Sequence, residues 1–394
     1  MFSLPKNDLR FFFFLCAIFI YALLGSPTPD NPSYVEALIG LCLVLGAGFS
    51  SVPLLLHRPD PSCRWLRWLF FYGMSVVIIT GLIKGGALPL MIRDVLPFFF
   101  VCLPLFFRRL VEDTPGREHL FLFFCWGLGG VFAVRVLGPF YGFLPEQEEL
   151  FYLANSPVLL FTAICAVGYA FENLQQIFSA KAALKFVICI GGAVLCVAAM
   201  GLDVQRATIG AVFLSLLFLI LQTLVKAPRR LVLPVIVIGG VTFVYAPVLA
   251  DLLEAMNTKT LAVGLNNRLE DFEAVLKSAE LSLFSVLFGQ GWGATYHSPA
   301  VEMMAVPYTH SFLTYMFLKG GVVMALLAVM VLVSALRRIW LIYRRGECVF
   351  ALALFWALMI PYFLYASHKS FDFGLILLLI YSLGTDRTKP AQND

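Results

Sequence analysis

Phe288-Gly-Gln-Gly-Trp-Gly293, and soon after it Pro307-Tyr-Thr-His310-Ser-Phe-Leu-Thr-Tyr-Met-Phe-Leu-Lys-Gly-Gly321, mark where this chain changes character. From Leu249 to Thr309 the long hydrophobic runs that fill the rest of the sequence stop, and at His310 an apolar run resumes. Three glycines at alternate positions predict a tight turn that brings the chain back to the membrane, because glycine adopts positive φ at little cost. They lack the preceding strand of a nucleotide-binding loop. Histidine titrates near neutral pH and can accept a proton from a hydroxyl. His310, at the seam between a polar segment and the bilayer, is therefore a candidate general base; a capping or interfacial histidine is the plainer alternative. His297, beside Ser298 and Pro299, reads as surface.

The rest of the chain sets this break in context. The 394 residues are 60% hydrophobic and only 13% charged, with 38 Phe. Soluble domains carry about 25% charged residues, so the composition points to one membrane domain over 1–394. The net charge of +4 is spread over loops; it forms no basic stripe and implies no nucleic-acid partner. The nine cysteines lie in or beside hydrophobic segments at no metal-ligand spacing and read as small core residues. Lys6 and Arg10 precede the run Phe11–Leu24 without a small-residue cleavage site, which reads as an uncleaved first transmembrane helix.

At about 20 apolar residues per crossing, roughly twelve spans are predicted. They cover 11–25, 34–56, 66–83, 93–107, 119–137, 157–172, 185–201, 207–226, 231–248, 310–336, 348–366 and 370–384. The expected fold is all-α and polytopic, with 249–309 as a mostly helical periplasmic loop between spans nine and ten. Alternate loops are rich in Lys and Arg, among them Arg64 and Arg67, Arg108 and Arg109, Arg229 and Arg230, and Arg337 and Arg338. The opposite loops are poor: 138–157 has no positive charge but carries Glu146, Glu148 and Glu149. The positive-inside rule then puts both termini in the cytoplasm and the break outside. Within the break, 266–282 reads as a helix with Leu269, Phe272, Val275, Leu276 and Ala279 on its apolar face. Asn266 or Asn267 would cap it, and Glu270 and Asp271 would sit in the first turn.

Two arginines fall on the predicted outer side. Arg206, in Gly201-Leu-Asp-Val-Gln-Arg206-Ala-Thr-Ile-Gly210, begins the eighth span, where a cation is costly and tends to have a reason. A guanidinium offers a fork of donors for phosphate oxygens; a snorkelling residue paired with Asp203 is the alternative. Arg268 is either a solvated helix charge or the second arm of a diphosphate clamp. Arg93 and Asp94 are expected to pair and to support the site, and Lys319 and Asp372 to neutralise each other. No DxD, HExxH or Walker pattern is present, so no metal and no cofactor are expected.

Three stretches together resemble the O-antigen ligase/polymerase superfamily of bacterial envelope glycosyltransferases. They are Arg206-Ala-Thr-Ile-Gly; the outer Arg268 with its Gly-x-Gly-x-Gly turn; and His310-Ser311 followed, nine residues on, by Gly321. The twelve-span layout agrees with that family, although the motifs cover only about thirty residues. Ser311 stands where Asn is commoner, Met324 where many members have a second glycine, and Lys319 where acidic or polar residues are usual. The resemblance implies a ligase in the bacterial inner membrane that moves a glycan from an undecaprenyl-diphosphate carrier to a hydroxyl of the lipid A-core oligosaccharide. It makes His310 the general base and Arg206 and Arg268 the diphosphate ligands. Ser311 and Tyr308, like Arg93 and Asp94, would support the site. A polymerase of the same superfamily, a twelve-helix transporter, and a receptor or scaffold are the alternatives.

Overall fold

The computed structural model describes residues 6–26, 34–48, 61–114, 116–144, 148–175, 179–202, 204–244, 246–263, 268–279 and 282–383. It is an all-α membrane protein. Among the described residues eight helices are long and apolar enough to cross a bilayer: Asn7–Leu24, Pro61–Ile83, Leu88–Glu112, Arg117–Phe140, Pro157–Leu174, Ala180–Leu202, Arg206–Lys226 and Phe312–Arg344. Tyr34–Ala47, Cys348–Phe363 and Phe371–Leu383 are apolar but shorter. The only strands described, Tyr296–Ser298 and Met304–Val306, pair antiparallel.

Burial is distributed as a lipid-facing protein requires. The Phe371–Leu383 helix is buried on all sides and lies against Leu88–Val101, Leu103–Glu112 and Cys348–Phe363. Peripheral helices turn apolar side chains outward instead: Leu184, Val187, Val194 and Phe213 are each more than 60% exposed. In water such an array would be a large apolar patch. The cysteines are all free, and most are buried.

The structure departs from the sequence reading beyond the ninth span, in the face that the next helix buries, and in the partners of Lys319 and Asp94. The ninth predicted span is Val232–Val244, and a further helix, Ala246–Val263, carries the chain well beyond residue 249. Pro247 is compatible with this because proline fits the first turn of a helix. The helix expected at 266–282 runs from Arg268 to Ala279, and the expected caps Asn266 and Asn267 lie outside the described residues. Its buried line is Asp271, Val275 and Ala279, whereas Leu269 and Phe272 are 64% and 45% exposed. The residues packed inward recur at every fourth position, and the polar one belongs to that row.

Lys319 does not pair with Asp372. The Asp372 carboxylate accepts hydrogen bonds from the Tyr21 hydroxyl at 2.9 Å and from the Ser156 hydroxyl. Buried hydroxyls from one other helix and from the N-cap of a second therefore satisfy this carboxyl, and a cation is unnecessary there.

Candidate functional site

The glycine turn is a buried knot between two interrupted helices. The Phe312–Arg344 helix is broken at Gly321, where φ is 66° and ψ is −163°. The break frees the carbonyls of Leu318 and Lys319, which accept the Gln290 and Gly291 N–H groups at 2.9 and 2.8 Å. On the other side, Pro61–Ile83 contains a π turn at Gly73–Val77. There the Trp292 indole N–H donates to the Gly73 carbonyl at 2.8 Å and the Trp292 backbone N–H to the Val77 carbonyl at 3.3 Å. Trp292 is fully buried. Gly289, Gly291 and Gly293 all have positive φ, and a Cβ at Gly291 would collide with the Gly81 backbone. Turn and helix breaks satisfy each other's backbone groups, as burial demands.

The knot positions a buried ion pair. Asp94 Oδ2 lies 2.6 Å from Lys319 Nζ and accepts the Gly293 N–H at 2.8 Å. Its Oδ1 accepts the Tyr315 hydroxyl at 3.1 Å, and Lys319 also donates to the Ala294 carbonyl at 2.6 Å. The expected Arg93–Asp94 pair does not form, because successive helical residues point about 100° apart: Asp94 turns inward at 3% exposure and Arg93 is exposed. Burying both charges is costly unless each has further partners, and here the turn and Tyr315 supply them.

His310 stands just before the Phe312–Arg344 helix, with Ser311 as the N-cap. The Ser311 hydroxyl oxygen accepts the Thr314 N–H at 3.3 Å, so Ser311 orders the helix start. The paired strands return the chain to Val306, and Tyr308 then packs edge-on against the His310 ring at 6.0 Å between centroids. Across from it, Asp271 is 4% exposed. Its Oδ1 accepts the Ser298 hydroxyl at 2.5 Å. Its Oδ2 is buried, makes no hydrogen bond of normal geometry among the described residues, and lies 4.0 Å from His310 Nε2. The His310 side chain keeps 24% exposure, enough to meet a reactant. Burial raises the pKa of the Tyr296 phenol, and the neighbouring Asp271 acts in the same direction. Asp271 is the residue the sequence reading missed as a functional group: its place in a first helical turn accounts for an acid there without any site. The Asp271, Val275, Ala279 spacing was the signal available.

Cations gather on the far side of Tyr308. Lys369, in the single turn Ala366–Lys369, holds its ammonium 3.9 Å from the centroid of the Tyr308 ring. Burial pushes this ammonium down to about 7; Asp94 opposes the shift, while Lys319 and Arg93 add to it. Burial also raises the Tyr308 phenol, which Tyr152 reinforces and Arg93 opposes. Next to Lys369, the buried His368 is pushed down to about 3 by burial and by Lys369 itself. On the outer edge of the knot, Lys84 donates to Ser285 Oγ, the Gly289 carbonyl and Gln290 Oε1, and burial lowers its pKa.

The two predicted diphosphate ligands stand differently. Arg206 opens the Arg206–Lys226 helix, is half-buried, and follows a left-handed Val204 at φ 46°. That helix packs chiefly on Pro157–Leu174 and Cys348–Phe363. Asp203 lies outside the described residues. The backbone of Arg268 opens the helix that carries Asp271, less than one turn away, while its side chain lies outside the described residues. The structure thus brings Arg93 and Asp94 near Tyr308 and Lys369, with His310 packed on Tyr308. His297 is exposed, with Nδ1 2.9 Å from the Met303 carbonyl oxygen. Among the described residues no group of three or more His, Cys, Asp or Glu side chains is arranged to hold a metal ion. No family model, curated protein or solved structure matches this chain.

Proposed function

We propose that this chain is a membrane glycosyltransferase that moves a glycan from an undecaprenyl-diphosphate carrier to a hydroxyl of the lipid A-core, as an O-antigen ligase does. The observation that carries the reading is the buried Asp271 carboxylate, held by Ser298 and facing the partly exposed His310 ring at 4.0 Å. A carboxylate in that position orients an imidazole and favours its protonated form, which is what a general base acting on a hydroxyl needs. With Nε2 turned to Asp271, Nδ1 is left to take the proton.

The acceptor oxygen, losing its proton to His310, forms a bond to the anomeric carbon. The bond from that carbon to the diphosphate oxygen breaks, and its electron pair stays on the diphosphate, which leaves on its lipid. Attack opposite the leaving group inverts the anomeric centre. Arg206 and Arg268 hold the diphosphate and stabilise the charge it gains. The diphosphate is itself a good leaving group, so no nucleoside triphosphate is consumed. In this reading the three shorter apolar helices and the Val232–Val244 helix also belong to the membrane region, making about twelve membrane segments. Both termini are cytoplasmic and the His310 side is periplasmic in the inner membrane.

The test is glycan transfer by the purified protein from a polyprenyl-diphosphate donor to lipid A-core, without added nucleotide. Product bearing the glycan on the core supports the ligase. Extension of lipid-linked repeats alone would assign the polymerase instead, and full activity in H310A would overturn the mechanism.

A further inference from the structure

The proposed clamp leaves Arg93 and Lys369 without a task, and they stand where charge is least balanced. Among the described residues, neither makes a side-chain hydrogen bond or ion pair, and each interacts with Tyr308. The turn carrying Lys369 packs against the Leu88–Val101 helix, which carries Arg93 on its exposed side. Asp94, the nearest carboxylate, already holds Lys319, the Gly293 N–H and the Tyr315 hydroxyl. Tyr308 contacts both the Lys369 ammonium and the His310 ring. Arg93 and Lys319 both repel the Lys369 ammonium, and the one acid that offsets them, Asp94, is already neutralised.

We propose that Arg93 and Lys369, with Tyr308 as the floor, form an anion subsite beside His310 that takes a phosphate group of a substrate. The ligand is a phosphate monoester or a diphosphate. A dianion balances both cations at once, and its oxygens match the guanidinium fork and the ammonium together; a sugar carboxylate balances only one. The depressed basicity of Lys369 agrees with a site awaiting its counterion, since a bound dianion would restore the ammonium. The Lys369 ammonium and the His310 ring both pack on Tyr308, so a phosphate held there would anchor a substrate beside the reacting centre. Its place next to His310 rests on the glycosyl-transfer reading, but anion binding does not. The phosphate has two sources: the diphosphate of the donor, or a phosphate carried by the acceptor.

The experiment labels the lysines of the purified protein by reductive methylation with carbon-13 and follows Lys369, assigned by the signal missing in K369R, through a pH titration. With inorganic diphosphate added, the Lys369 midpoint should rise by about one unit or more, a tenfold change in proton affinity. Chloride at matched ionic strength should move it far less, and R93Q should shrink the diphosphate effect. A midpoint indifferent to phosphate and diphosphate would overturn the subsite. In transfer assays K369Q and R93Q should raise KM about tenfold, for the donor if the carrier diphosphate is the ligand and for the acceptor if its own phosphate is. Unchanged KM for both would reduce the site to an adventitious anion only and overturn the proposal. Transfer that needs His310 while Lys369 stays silent would remove the subsite and leave the function standing. A responsive Lys369 in a protein that transfers no glycan would do the reverse.

Discussion

His310 Nε2 faces Asp271 Oδ2 across 4.0 Å, and that carboxylate oxygen is buried, with the Tyr296 phenol as its other polar neighbour among the described residues. The two residues are far apart in the chain, one from a short helix within the polar break and the other from the entrance to the longest helix described. Ser298 holds the other carboxylate oxygen, so Asp271 is aimed. D271N keeps the shape and the Ser298 contact but removes the charge that would stabilise a protonated His310. The expected outcome is a fall in kcat of about 10²-fold with donor KM little changed, approaching the loss for H310A. Initial rates at varied donor and acceptor check it; a change confined to KM would make Asp271 a binding residue.

Lys319 and Asp94 form a pair that removal of one partner should expose. K319M strands a buried carboxylate and D94N strands a buried ammonium, each costing about 3–5 kcal/mol. The K319M/D94N double variant strands neither charge and should be more stable than the sum of the single losses predicts. Thermal unfolding in detergent of the four proteins gives the coupling. Additive losses would mean that the pair is not the tie between turn and helix.

Much of this architecture was legible beforehand. Among the described residues eight helices are long and apolar enough to cross a membrane and three more are apolar but shorter, and each overlaps a predicted span. His310 and the glycine turn were picked out because they interrupt that pattern. The partners were not legible. Asp94 and Arg93 are adjacent in sequence, yet the helix sends one inward to Lys319 and leaves the other exposed. Lys369 sits in a turn too short to show periodicity, and its proximity to Tyr308 depends on how distant helices pack. The break at Gly321 exists because the carbonyls it frees find Gln290 and Gly291. Such pairings join residues far apart in the chain, and local propensity carries no information about them.

The glycine knot should be intolerant where the exposed glycines are not. At Gly291 an alanine meets the Gly81 backbone and is held at φ 85°, so G291A should cost about 2–4 kcal/mol, from strain plus collision. At Gly191, inside the Ala180–Leu202 helix, an added Cβ meets nothing, and G191A should be neutral or stabilising by up to about 1 kcal/mol. Folded yield and melting temperature of the two variants check the contrast. Equal tolerance at both positions would mean that the turn is looser than its packing requires.

Acid should act on the protein through His368. Its ring lies against Phe312 and Tyr315 at 5.6 and 5.2 Å between centroids, and its Nε2 is buried without a partner. Burial, together with Lys369, pushes the folded-state value from 6.5 down to about 3. Between those values the unfolded chain binds a proton that the folded one excludes, so stability falls as pH drops through that window. The contribution reaches a few kcal/mol at its lower end. H368F keeps an aromatic ring against Phe312 and Tyr315 but cannot titrate. The melting temperature of the unsubstituted protein should therefore fall more steeply than that of H368F between about pH 6.5 and pH 4.5, above the range where most carboxylates titrate. Parallel curves would show that His368 takes up its proton in the folded state, and that water reaches the turn beneath Lys369.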